Sequence, residues 1–107
     1  FKIALEILNS GRLGLAAGSS RGTREMLKMA IEYVKQREQF GRPIGNFEMI
    51  QRKIAIAAAD CYAADAGWML CAGMVDRGGV DFSLETAACK VYASELAWRS
   101  ASDVMQM

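Results

Sequence analysis

From Phe47 onward the apolar residues return in steps of three and four, at Phe47, Ile50, Ile54, Ala57, Cys61, Ala64, Trp68, Cys71 and Val75. That spacing brings all nine side chains to one side of an α-helix, so it predicts a continuous seam over residues 46–77. Asn46 stands where an N-cap is expected, and Glu48 places negative charge in the first turn. Arg77 with Gly78 and Gly79 supplies the stop. Upstream, Met26, Leu27, Ala30, Ile31 and Val34 make a second helical face, with Gly41 expected just past the helix end and Pro43 beyond it. The stretch before that face, NSGRLGLAAGSSRG, holds four glycines, each about 1 kcal/mol worse than alanine in a helix. Helix is still the expectation over residues 2–39, and the small residues point to a neighbouring helix or ligand at close range. Ser83 as N-cap and Glu85 in the first turn open a third helix, expected over 83–107. Its stripe falls at Leu84, Ala88, Val91, Trp98 and Met105, with Tyr92 and Leu96 beside it.

Three such faces predict an all-α protein, an antiparallel up-down helical bundle with three long helices of a type that normally holds four. The closing residues, ASDVMQM, carry no glycine, proline or basic turn. The third pattern is therefore expected to belong to a longer bundle, with its partner helix lying elsewhere.

Composition narrows the function classes. A chain of 107 residues, 52% apolar and with one proline, fits a single helical domain. Thirteen basic and twelve acidic residues nearly cancel, which argues against nucleic acid or a charged membrane surface as partner. No uninterrupted apolar run reaches the ~18 residues that span a bilayer, and FKIALEILNSGR lacks the form of a signal peptide. Histidine is absent and the three cysteines form no CxxC, so a zinc site and a Ser–His or Cys–His catalytic pair are not available. Cys61, Cys71 and Cys89 read as core thiols in a reducing compartment. Asp60 and Asp65, five apart on the second helix, read as solvated acids.

One segment does not fit a plain helical bundle. VKQREQFGRPIGNFEMIQRK sets Arg37, Arg42 and Arg52 around Phe40 and Gly41. Guanidinium groups match phosphate oxygens in a bidentate fork, and an aromatic ring can stack on a base. Read from the residues alone, a solvated helix end with a packed phenylalanine accounts for the same features.

The stretch REQFGRPIGNFEMIQRKIA resembles the signature corner of the acyl-CoA dehydrogenase family, in its C-terminal helical domain. FKIALEILNSGR resembles the entry into that domain, and ETAACKVYASELAWRSASDVMQM resembles its later helix. The three blocks cover the chain in order, and MVDRGGVDFSLETAACKVYASELAW leans toward the very-long-chain branch.

The resemblance implies a role in α,β-dehydrogenation of an acyl-CoA thioester with FAD as cofactor. Arg37 and Gln39 match residues that contact a flavin held mainly by the neighbouring subunit, Arg37 at the pyrophosphate and Phe40 near the adenine. Ile44 and Phe47 match positions that line the same cofactor. Glu48 stands where the family commonly has glutamine, and Gln106 matches a cofactor-binding glutamine. Asn9 and Arg12 match positions near the acyl thioester. The family's catalytic glutamate has no counterpart here. Most members carry it beyond a Gly-Gly turn after the matched region, and a minority carry it before the equivalent of Arg12, where Gly11 stands. The implied partners are acyl-CoA, further copies of the chain in a dimer or tetramer, and an electron-transfer flavoprotein, with neither nucleic acid nor metal. The implied compartment is a bacterial cytoplasm or a mitochondrial matrix. A non-catalytic helical interaction module derived from the same family is the alternative.

Overall fold

A computed structural model describes all 107 residues. It contains helix α1 (Lys2–Gln36), a two-stranded hairpin β1 (Glu38–Gln39) and β2 (Arg42–Pro43), a 3-10 turn (Ile44–Asn46), and helices α2 (Glu48–Arg77) and α3 (Ser83–Met105). The glycine-rich stretch is continuous with α1, as expected. The close neighbour expected along its small residues is met at Ala16 and Ser20, which are buried in the bundle, whereas nothing lies within 4 Å of where a Cβ would stand at Gly11, Gly14, Gly18 or Gly22.

The molecule is a rod of 60 × 21 × 16 Å. α1 and α2 run antiparallel, and α3 returns parallel to α1 and lies closest to it. Small residues allow that approach: Ala16, Ser20, Thr23 and Ala30 on α1, and Thr86, Ala93 and Ser100 on α3, are all buried. Thr23 and Thr86 satisfy their hydroxyls locally, donating to the carbonyls of Ser19 at 2.9 Å and Ser83 at 3.2 Å. One apolar cluster joins Ala16, Cys61, Ala64, Ala93 and Leu96, with Trp68 and Cys89 against it. A second joins Val34, Ile44 and Ile50 at the corner end, with Phe47, Ile54 and Met107 against it.

The predicted seam of α2 is largely the packed one, but three boundary assignments change. α1 stops at Gln36, because the chain turns into a hairpin before Gly41 is reached. Asn46 lies inside the 3-10 turn, and α2 begins at Glu48 with Phe47 as its cap residue. α3 begins at Ser83 itself. The capping oxygen comes from Asp81, which accepts the Ser83 N–H at 3.0 Å and the Ser83 hydroxyl at 2.7 Å. These two bonds hold the Asp81 carboxyl below its ordinary range.

The stripe expected on α3 is the wrong face. Leu84, Ala88, Val91, Trp98 and Met105 are exposed, Trp98 by 76% and Met105 by 82%. The buried side is Thr86, Ala93, Leu96 and Ser100. Hydrophobicity alone pointed to the larger residues. Close packing against α1 instead selects the smaller ones.

The acids of α2 are not free in solvent either. Asp65 accepts hydrogen bonds through Oδ1 from the Ser20 hydroxyl and from Trp68 Nε1 at 3.0 Å. Its Oδ2 has no well-aligned hydrogen-bond donor, but the Arg24 guanidinium lies against it and pairs the charge. Asp60 accepts from Tyr92 at 3.1 Å and from Arg99 at 3.3 Å. α2 is long and apolar enough to cross a bilayer by length and composition, contrary to the reading from uninterrupted runs. Here both of its mid-helix acids are spent on bundle contacts, which is how a core helix uses them.

Replacing Asp65 tests how much this network holds α1 against α2. Asp65→Ala strands two donors, and Arg24 is half exposed, so its share is screened. We expect a loss of about 2 kcal/mol in urea unfolding, with Asp65→Asn losing about half as much. Equal stability of all three proteins would remove the network from the account.

Candidate functional site

The corner between α1 and α2 is built by a tight hairpin. β1 and β2 pair antiparallel in the register Glu38↔Pro43 and Gln39↔Arg42, leaving Phe40 and Gly41 as a two-residue loop. Both have positive φ, 54° at Phe40 and 79° at Gly41. Two successive left-handed residues match the strand twist of a type I′ turn. Glycine adopts this conformation freely, whereas phenylalanine does so at a cost on the order of 1 kcal/mol. The Ile44 N–H donates to the Arg37 carbonyl at 2.8 Å and closes the base of the hairpin. Gly45 then passes so near α1 that a Cβ there would stand 3.2 Å from the Val34 carbonyl oxygen.

This scaffold pushes Phe40 outward. Its ring is 92% exposed and touches only the edge of Phe47, at 6.2 Å between centroids and 83° between planes. Arg42 lies over the other ring, 4.2 Å from the Phe47 centroid, a cation–π contact that holds Phe47 in place. Arg37, Arg42 and Arg52 make no ion pair, while the other basic residues of the neighbourhood, Lys35 and Lys53, are paired with Glu32 and Asp103. Beside them is an apolar hollow of about 430 Å³ lined by Gln39, Phe40, Ile44, Phe47, Glu48 and the newly recruited Met49, Ile50 and Met107.

Five of the seven residues expected at a cofactor thus share one hollow. Arg37 does not line it and is an exposed residue just before β1. Gln106 ends α3 close by, where its Oε1 accepts from Lys53 Nζ at 3.2 Å. Glu48 is the first residue of α2, where the helix dipole favours a carboxylate. Ile50 was legible as part of the α2 seam. Met107 gave no signal, because only the return of α3 brings it to the corner.

Asn9 and Arg12 sit at the other end of the rod. Arg12 Nη1 donates to Asn9 Oδ1 at 3.1 Å, and Asn9 Nδ2 donates to the Ser83 hydroxyl at 3.0 Å. Asn9 is buried, so its amide orients Arg12 and ties α1 to the start of α3. A hollow of about 330 Å³ lies alongside, lined in part by Leu5, Asn9, Val80 and Ser83. At 1.5 Å rise per residue, Arg12 and Arg37 are ~38 Å apart along α1.

The whole chain, residues 1–107, matches the family described as acyl-CoA dehydrogenase, C-terminal domain. The chain belongs to that family. It is 36% identical over 107 residues to the mitochondrial very long-chain specific acyl-CoA dehydrogenase of Macaca fascicularis, covering all of this chain and 16% of that protein. It is 39% identical over 106 residues to the probable acyl-CoA dehydrogenase FadE10 of Mycobacterium tuberculosis, with 99% and 16% covered. The structure of butyryl-CoA dehydrogenase from Megasphaera elsdenii superposes with a TM-score of 0.94 at 35% identity, over 99% of this chain and 27% of that one. This acyl-CoA dehydrogenase domain therefore spans about a sixth of the curated relatives' length.

The hairpin of this domain gives a direct test. Gly41→Ala forces a side chain into left-handed backbone and should cost about 1 kcal/mol. Phe40→Asn puts the residue preferred in a type I′ turn at the first loop position and should cost nothing. Thermal unfolding of both variants measures the difference. A destabilising Phe40→Asn would mean that the exposed ring serves the fold.

Proposed function

We propose that this segment is the part of a flavin-dependent acyl-CoA dehydrogenase that holds one end of the FAD at its corner and contributes to acyl-CoA binding at the opposite end. The observation that carries the reading is the corner itself: an aromatic ring held outward in disfavoured backbone beside an apolar hollow, in a segment whose three arginines make no ion pair. These residues fit a nucleotide cofactor. Arg37 would pair with pyrophosphate oxygens, Phe40 would stack on the adenine, and Gln39, Ile44 and Phe47 would enclose its flank. Gln106 is close enough to join them by turning away from Lys53. Glu48 fits least well, since a carboxylate repels phosphate, and its place at the start of α2 accounts for it without a ligand.

The flavin, when bound, supplies the hydride acceptance that α,β-dehydrogenation of an acyl-CoA requires. What this chain adds is position and charge. Arg12, held by Asn9, presents a cation at the acyl end. Carboxylates do line the hollow there, Glu6 and Asp81, but neither stands at a position where the family carries its catalytic glutamate, so the proton-abstracting base is assigned to a residue outside 1–107. The ~38 Å between Arg12 and Arg37 supports a reading in which the two ends of one chain serve two different active sites. In that reading the protein is a homo-oligomer, and the corner of one subunit would complete the flavin site of another. An electron-transfer flavoprotein would be the electron acceptor.

Arg37→Ala in the full-length protein that carries this segment should weaken flavin retention by about 10- to 100-fold, the worth of a charge-assisted hydrogen bond. Gel filtration followed by flavin absorbance reads this directly. The isolated 107-residue chain, given acyl-CoA, FAD and an electron acceptor, should show no turnover. Unchanged flavin retention in Arg37→Ala would overturn the cofactor reading. Turnover by the isolated chain would overturn the claim that the base lies elsewhere.

A further inference from the structure

Three free cysteines are present, and two of them face each other. Cys71 on α2 and Cys89 on α3 bring their sulfurs to 3.5 Å, while they lie eighteen residues apart in sequence. Cys61 belongs to the central apolar cluster, with Ala16, Ala64, Ala93 and Leu96 around it. The facing pair differs in access. Cys71 is 2% exposed, whereas Cys89 is half-buried and lines a hollow of about 350 Å³ between α2 and α3. Its other walls are small or flat, formed by Ala63, Ala64, Gly67, Ala88 and Tyr92. Gly67 makes the space for this thiol, since a Cβ there would stand 3.2 Å from the Cys89 sulfur. The result is one sulfur reachable from outside and a second directly behind it.

We propose that Cys71 and Cys89 form a reversible dithiol–disulfide couple that staples α2 to α3 when the protein meets a hydroperoxide. Cys89, as thiolate, attacks one oxygen of the hydroperoxide. The O–O bond breaks, an alcohol or water leaves, and Cys89 becomes a sulfenic acid. The Cys71 sulfur then attacks the Cys89 sulfur. The S–O bond breaks, the S–S bond forms, and the hydroxide leaves as water with the Cys71 proton. Two thiols have given up two electrons and two protons, and one hydroperoxide has been reduced. A small dithiol reverses the step by thiol–disulfide exchange and is itself oxidised to a disulfide.

The order of attack follows from the surroundings. Burial and the neighbouring Cys89 push the Cys71 thiol up to about 11, so Cys71 stays protonated and waits behind the accessible sulfur. Closing the pair requires the sulfurs to approach from 3.5 Å to about 2.0 Å. The intervening chain includes the Gly78-Gly79 turn, where both residues have positive φ.

The test uses the full-length protein that carries this segment, treated with hydrogen peroxide at neutral pH and mapped over residues 54–90. The expected product is an intrachain link that removes two hydrogens, with the thiols of Cys71 and Cys89 lost to a thiol reagent and both recovered with dithiothreitol. Trypsin should yield the peptide 54–77 joined to 78–90. Cys61→Ser should give the same link, which assigns it to Cys71. Cys71→Ser should stop at a sulfenic acid on Cys89 that dimedone traps. Oxygen addition to separate cysteines of the wild-type chain without a link, or a link found only between chains, would overturn the proposal. That peptide map needs no variant to fold.

Discussion

The length of one unbroken helix governs this molecule. α1 runs for 35 residues, about 52 Å at helical rise, with the hairpin corner at one end and the Asn9–Arg12 pair toward the other. By propensity it is a poor helix: four glycines between residues 11 and 22 cost about 4 kcal/mol relative to alanine. Tertiary packing offsets this. α3 lies along Ala16, Ser20, Thr23 and Ala30, and the half-buried Asp65 of α2 ties Ser20 and Arg24 to the same stretch. The rod is therefore stiff in the region where its sequence is weakest, and the separation of its ends is fixed.

At the corner end, local strain and charge coincide. A phenylalanine in left-handed backbone does not help the hairpin, and an exposed aromatic ring does not help the core. Three arginines without acidic partners add unbalanced positive charge. Each feature is mildly unfavourable for an isolated chain, and the proposed contacts to an adenine and a pyrophosphate would account for all of them together. The opposite end is built differently. There a chain of hydrogen bonds from Arg12 through Asn9 and Ser83 to Asp81 couples a charged side chain to the cap of α3.

Much of this was legible in the residues. The α2 seam was readable because its three-and-four spacing never breaks, and Gly78 stops it as expected. The corner stood out because REQFGRPIGNF resembles a family motif, and four residues of that stretch, Gln39, Phe40, Ile44 and Phe47, line one hollow with Glu48. Other features were hidden for physical reasons. The hairpin at residues 38–43 is too short to leave a periodic signal. The buried face of α3 is threonine, alanine and serine with a single large residue, Leu96, so apolar weighting chose Leu84, Val91 and Trp98 instead. Asp65 read as solvated because a lone sequence cannot show Ser20, Arg24 and Trp68 converging on it. Met107 reaches the corner only through the return of a helix more than 60 residues later.

The central claim is that the two ends of α1 serve two different active sites in an oligomer, and mixing two inactive full-length variants tests it most directly. Arg12→Ala subunits alone and Arg37→Ala subunits alone should each be impaired in acyl-CoA dehydrogenation. In a mixed oligomer, one site pairs an intact Arg12 from one subunit with an intact Arg37 from the other. Activity should therefore reappear on mixing and reassembly, approaching half of the wild-type sites in each mixed pair. Mixed oligomers no more active than either parent would mean that both residues act in the same site of one chain, and would contradict the account.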